Sequence, residues 1–333
     1  MEYSKLVKKS VGVAKEKLDV LRAEDSLVFA LFTDLHTGDS DSAYTKRLTT
    51  ALAEISDEIS PDAVINMGDS FAMLGRDIHI TNDELKARFE RVFEAVYKAS
   101  GCPVIHVNGN HDAPGTDFFK ADYWNEIVKG KYGNTNAVYG DGAYYYIDYD
   151  NADTRLVVMS LPSDSDIDCQ MPTPIWKFGK NQLKWLSDVA FDTDKKVIIL
   201  NHVPFYDKYT GDENATLGVW TGTEEKVSYI SALCGSVEDL EDALVVIKKN
   251  EDKLVACLSG HTHTDGLFAG YEEKNGVKNP LHCPQVVTNS ACFTEDAGLK
   301  MDMGISIDIV LWTPSKMELN LLRIGDGEDR KVL

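Results

Sequence analysis

The sequence predicts an α/β fold, a four-layer α/β/β/α sandwich in which two stacked mixed β-sheets are flanked by helices. Three observations predict it. Apolar runs of strand length alternate with helical periods along the first part of the chain and again before residue 254. Each such run ends abruptly in polar residues of the kind that hold ligands, so the ligand site is expected at the strand C-terminal ends. Other strand-like runs follow one another without a helical pattern between them, which suits a second, more antiparallel sheet. At 333 residues the chain is long for one average domain, but no repeat or linker-like stretch divides it, and a single domain over 1–333 is expected.

Residues 1–23 set Leu6, Val7, Val11, Ala14, Leu18 and Leu21 among lysines at roughly helical spacing, so an amphipathic helix should pack on the body. Its lysines suit a solvated face better than a partner surface. Strand-like Leu27–Phe32 then runs into Thr33-Asp34-Leu35-His36, Ala63–Met67 into Gly68-Asp69, and Val104–Val107 into Asn108-Gly109-Asn110-His111-Asp112. Between these runs Leu48, Leu52, Ile55 and Ile59 repeat at helical spacing, and so do Leu85, Phe89, Val92, Phe93 and Val96. Later, Val197–Leu200 runs into Asn201-His202, and Leu254–Leu258, preceded by a helical pattern from Val237 to Ile247, runs into Ser259-Gly260-His261-Thr262-His263. Strand–helix–strand alternation implies parallel strands with right-handed crossovers, and five polar motifs would then meet along one sheet edge. The helix-free set is Ala143–Tyr149, Arg155–Leu161, Gln285–Thr288, Gly304–Trp312 and Lys316–Arg323, expected as the second sheet. The longest stretch without a pattern, Val203–Ser236, carries Tyr206, Tyr209 and Trp220 directly after a candidate ligand and suits an insertion near the site.

A formal charge of -20, from 34 basic and 54 acidic residues, repels polyanions, so nucleic acid and anionic membrane are poor partners while small charged substrates stay open. The charged start lacks a secretory apolar core, and no run approaches the roughly 18 apolar residues of a membrane span, so a cytoplasmic chain is expected. Six cysteines without a Cys-x-x-Cys pair suit reduced core thiols.

Each polar motif is weak alone, since a lone Gly-Asp is a common turn and a buried His at a strand end is usually only hydrogen-bonded. Together they are not weak: five of the eight histidines, His36, His111, His202, His261 and His263, follow apolar runs in company with Asp34, Asp69 and Asn110. Imidazole with carboxylate and amide oxygen suits Zn, Fe or Mn and suits calcium poorly. Of the remaining histidines, His106 lies inside a strand-like run, and His79 and His282 are expected in loops.

In order, Asp34-Leu35-His36, Gly68-Asp69, Gly109-Asn110-His111-Asp112, His202 and Gly260-His261-Thr262-His263 resemble the five signature blocks of the calcineurin-like metallophosphoesterases, over about residues 27 to 265. The resemblance implies hydrolysis of a phosphomonoester or phosphodiester with two transition-metal ions. One would be held by Asp34, His36, Asp69 and His263, the other by Asp69, Asn110, His202 and His261, with Asp69 as the bridge. A shared carboxylate can hold two cations about 3.5–4 Å apart, where a bridging water loses a proton near neutral pH and becomes the nucleophile. Gly68 and Gly109 would let the backbone turn tightly before ligands. His111 resembles the general acid that protonates the departing oxygen, with a plain hydrogen bond to phosphate as the alternative. The sequence departs from many relatives at Ala72, where an Asp that orients the general acid is usual, and it lacks the Asp-Arg-Gly of the protein phosphatases. Arg76, Tyr206 and Trp220 are the candidate contacts to a small phosphorylated substrate. Two other functions remain to be weighed, a metal-dependent nuclease of the same superfamily and a non-catalytic metal-binding scaffold; the charge counts against the first and the complete ligand set against the second.

Overall fold

The computed structural model describes residues 2–37, 40–70, 82–109, 136–161, 177–205, 239–274, 277–291 and 303–333, with 112, 129, 134 and 237. Two β-sheets form its centre. The first contains β1 (Leu27–Phe32), β2 (Ala63–Asn66), β3 (Val104–His106), β13 (Ser306–Thr313), β14 (Glu318–Gly325) and β15 (Arg330–Lys331), in the order β15-β14-β13-β1-β2-β3. The second contains β4 (Ala137–Tyr139), β5 (Tyr145–Tyr149), β6 (Thr154–Val158), β7 (Lys196–Leu200), β8 (Leu254–Ser259), β9 (Gly266–Phe268) and β12 (Gln285–Val287), in the order β4-β5-β6-β7-β8-β12-β9. A two-residue ribbon, β10 (Glu273–Lys274) with β11 (Val277–Lys278), stands apart.

Both sheets are mixed. In the first, β1, β2 and β3 run parallel and the β13–β14 hairpin joins antiparallel to β1. In the second, β6, β7, β8 and β12 run parallel while β5 and β9 are antiparallel at the flanks. The division of strands differs from the expectation that all five motif-bearing runs share one sheet: β1, β2 and β3 lie in the first, β7 and β8 in the second. Apolar runs buried on both faces look alike whichever sheet they enter, so the sequence does not encode the partition. The crossover from β6 to β7 also contains a helix that the sequence pattern did not reveal, α4 (Lys180–Trp185), continued by a π-helical turn over Leu186–Ala190.

Side-chain alternation fixes the layers. Leu156, Val158, Ile198, Leu200, Ala256 and Leu258 face the first sheet and join its core, whereas Val157, Val197, Ile199 and Cys257 face outward into a second apolar cluster. That outer cluster is closed by α4 and by α5 (Leu240–Lys248), through Leu186, Ala190, Ala243, Leu244 and Ile247. The far face of the first sheet is covered by α1 (Glu2–Leu21), α2 (Ala43–Glu58) and α3 (Asn82–Ser100), so the four layers are as expected. Along α1 the buried positions are Val7, Val11, Ala14 and Leu18, while Leu6 stays exposed on the charged side. Ser42 caps α2, its hydroxyl accepting from the Thr45 N–H at 3.0 Å. Cys257 and Cys283 are buried free thiols and Cys102 is half-buried; Cys169, Cys234 and Cys292 lie outside the described residues. No helix among the described residues is long and apolar enough to cross a membrane.

Candidate metal centre

The C-terminal ends of β1, β2, β7 and β8 meet at one end of the sandwich, where backbone pairing continues past the strands themselves. The N–H groups of Asp34, His36 and Thr37 donate to the carbonyls of Gly68, Asp69 and Ser70 at 2.9, 3.0 and 3.0 Å, which keeps the first two motifs side by side. In the second sheet Gly260 N–H donates to the His202 carbonyl at 3.0 Å. The sheets are joined by two contacts made by the candidate ligands: His202 Nδ1 donates to the Met67 carbonyl at 2.9 Å, and the His261 N–H donates to Asp34 Oδ2 at 2.9 Å.

Six side chains converge there in two groups, Asp34 with His36 and His263, and Asp69 with His202 and His261; within each group the ligand atoms lie within 4.8 Å of one another. His36 Nε2 and His263 Nε2 are 2.8 Å apart and stand 3.5 and 3.3 Å from Asp34 Oδ1. In the other group Asp69 Oδ2 is 3.1 Å from His202 Nε2, and the same oxygen is 3.9 Å from His36 Nε2. Asp69 thus faces both groups, and so does Asp34, whose Oδ1 is 3.9 Å from His202 Nε2.

Two of these side chains are held so that one polar atom is left for the centre. Asp34 Oδ2 is taken by the Thr33 hydroxyl at 2.6 Å and by the His261 N–H, while Oδ1 is buried without a hydrogen-bond partner. His202 donates through Nδ1, which turns Nε2 toward the centre; that atom is buried and not aligned for a hydrogen bond, in spite of its short distance to Asp69. An orphaned carboxylate oxygen and an orphaned imidazole nitrogen, one in each group and set among four further candidate ligands, fit cations. Burial would depress His202, but the Asp69 and Asp34 carboxylates outweigh it and lift it to about 9; burial and the nearby His202 push His261 down to about 3. Two buried carboxylates thus demand positive charge at the spot where metal ions would supply it.

The backbone pays for this convergence. Of nine non-glycine residues with positive φ among the described residues, five are candidate ligands: Asp34 at 53°, His36 at 44°, Asp69 at 51°, His261 at 71° and His263 at 55°. A left-handed residue of this kind costs on the order of 1–3 kcal/mol and persists only where its surroundings hold it, a pattern concentrated at functional sites. Gly68 does turn tightly, at φ 106°. Gly109 does not; it serves by close approach, since a Cβ there would sit 2.2 Å from Asp69 Oδ1.

Asp112 has a role that the sequence pattern did not assign. Its carboxylate accepts from the N–H groups of Asp69, Ser70 and Gly109 at 2.8, 2.9 and 3.0 Å and so clamps the Gly68-Asp69 turn to the loop after β3. Burial and the Asp69 charge raise it to about 8. The only sequence signal was its place in the Gly109–Asp112 motif. Asn110 and His111, Arg76, Tyr206 and Trp220, with Ala72, Tyr209 and His79, lie outside the described residues. His106 stands in β3 as expected, buried against Phe93, and His282 is in a loop.

The sequence model described as calcineurin-like phosphoesterase matches residues 27–265. Among solved structures, that of a dimetal phosphatase from Danio rerio superposes with a TM-score of 0.57 at 12% identity, covering 92% of this chain and 98% of that one. The structure of PhoD superposes with a TM-score of 0.51, also at 12% identity, covering 92% of this chain and 72% of that one. At such identity the likeness is one of fold. No curated protein matches the chain.

Proposed function

The chain belongs to the calcineurin-like phosphoesterase family, and from that premise we propose that it hydrolyses a phosphomonoester or phosphodiester of small size, using two ions of Mn, Fe or Zn. The observation that supports this most is the pair of adjacent His–carboxylate groups, with Asp69 Oδ2 facing a histidine of each. Asp34, His36, Asp69 and His263 would hold one ion; Asp69, His202 and His261, with Asn110, would hold the other. Bound there, the ions supply a nucleophile from water at neutral pH and positive charge for the phosphoryl oxygens.

The chain's own residues do the rest. Asp34 and His202 present single donor atoms in fixed orientation, because Thr33 and Met67 occupy their other polar atoms. Asp112 holds the bridge in place through its backbone. His111, next to the Asn110 ligand, donates the proton to the departing oxygen. Arg76, Tyr206 and Trp220 are assigned to substrate contacts on the same reading.

A screen of phosphomonoesters, phosphodiesters and cyclic nucleotides with added Mn²⁺ tests the activity, and turnover of none of them would count against it. His111→Ala should leave both ions bound and slow alkyl esters by about 10²–10⁴-fold. It should slow p-nitrophenyl esters far less, because p-nitrophenolate departs without a proton. Equal losses would assign His111 to phosphate binding instead.

A further inference from the structure

We propose that a charged quartet of Asp265, Arg323, Arg330 and Asp308 positions His263 as a metal ligand, acting from outside the centre through the loop that carries it; this rests on the dinuclear reading above. Asp265 stands two residues beyond His263. Its Oδ1 accepts from Arg323 Nη2 at 2.6 Å, lies 3.1 Å from Arg330 Nη1, and accepts the Asn289 N–H at 3.2 Å. The two guanidiniums converge in turn on Asp308: Arg323 Nε donates to Oδ1 at 2.9 Å and Arg330 Nη2 donates to Oδ2. The Thr288 hydroxyl also donates to that Oδ2, at 2.9 Å. The two positive and two negative charges balance. Asp308 and Arg323 are buried, so removing one member leaves another charge uncompensated in the interior.

Its place in the fold connects this quartet to the ligands. Asp308 lies in β13 opposite Leu31 of β1, three residues before Asp34. Asp265 ends the loop that follows β8. One ion network therefore ties the segment that carries His263 to β13, the antiparallel neighbour of the strand that leads to Asp34. His261 and His263 are both left-handed, so the loop relaxes unless it is held. Its first half is fixed by Gly260 N–H on the His202 carbonyl and by His261 N–H on Asp34. Beyond His263 the fixings include Asp265, the Thr262–Thr264 hydroxyl contact at 3.1 Å and the short β9–β12 pairing, which starts at Gly266 opposite Val287, and of these Asp265 alone carries charge. Releasing Asp265 should therefore free His263 more than His261, and weaken one ion more than the other.

The same protein contains a comparison pair: Arg155, near the start of β6, grips Asp148 at 2.7 and 2.9 Å and is equally buried, but touches no ligand-bearing loop. Calorimetric titration with Mn²⁺ of the full-length, chelated wild type, Asp265→Asn, Arg323→Lys and Arg155→Met, with thermal unfolding of the same chelated samples, tests the proposal. The wild type should take up two ions. Asp265→Asn should keep one near wild-type affinity and bind the other about 10–100-fold more weakly. Arg323→Lys retains the charge without the planar fork and should fall between. Arg155→Met should lose thermal stability with both ions unaffected. Wild-type affinity for both ions in Asp265→Asn and Arg323→Lys, or equal weakening at both ions matched by Arg155→Met, would overturn the proposal alone. Fewer than two ions in the wild type would overturn the dinuclear reading and the proposal with it.

Discussion

Asp69 has one carboxylate oxygen 3.1 Å from His202 Nε2 and 3.9 Å from His36 Nε2, the placement that the proposed bridge requires. Asp69→Asn should lower occupancy of both ions together, read by metal analysis of the purified variant; an unchanged count would remove the bridge. A second residue governs pH dependence away from the centre. His106 is buried in β3, and burial pushes it from its ordinary 6.5 down to about 3. Between those values the unfolded chain takes up a proton that the folded chain refuses, so stability is complete above about 6.5 and falls as pH drops below it. From pH 7 to pH 5 this amounts to roughly 2 kcal/mol. His106→Gln should flatten the pH dependence of unfolding of chelated protein over that range, and a curve parallel to wild type would contradict this. The six grouped Asp and His side chains were legible in the sequence, because such residues at the ends of apolar runs announce their chemistry. Asp112 was not, because accepting three N–H groups depends on how the Gly68-Asp69 turn and the Gly109 loop face one another.

At the scale of elements, the turn between β2 and Asp69 combines a left-handed backbone with close packing. Gly68 has φ 106°, and a Cβ there would lie 2.8 Å from both Gly109 N and His202 Nδ1. Gly68→Ala should lower the unfolding temperature and weaken Mn²⁺ binding at least tenfold, since it strains the backbone and displaces a ligand. Gly12→Ala is the opposite case: it is in α1 with nothing within 4 Å, and should stabilise by about 0.5–1 kcal/mol without affecting metal. Paired thermal melts and titrations separate the two, and a Gly68→Ala protein that binds Mn²⁺ like wild type would show that the turn is not under constraint. Strands β1, β2, β3, β7 and β8 were found within a residue or so of their expected ends, because each is a short apolar run with a sharp polar stop. Helix α4 was missed: its six residues KNQLKW are too short for a helical period to stand out.

Across the whole molecule, the four layers followed from strand and helix patterns, but the membership of each sheet did not. What assigns β13 a central place is burial of all eight of its residues between β1 and β14, a tertiary fact with no periodic signature. The consequence for function is that the candidate ligands come from both sheets, with Asp34, His36 and Asp69 on one and His202, His261 and His263 on the other. Metal binding should then brace the two sheets against each other and raise the unfolding temperature. The most direct measurement is to strip the wild-type protein with chelator, restore Mn²⁺ in steps, and follow bound ions per chain and phosphoester hydrolysis in the same samples. Negligible hydrolysis in the stripped protein and full activity only as occupancy approaches two ions per chain is the result expected; full activity at one ion, or undiminished hydrolysis with none, would contradict a dinuclear phosphoesterase.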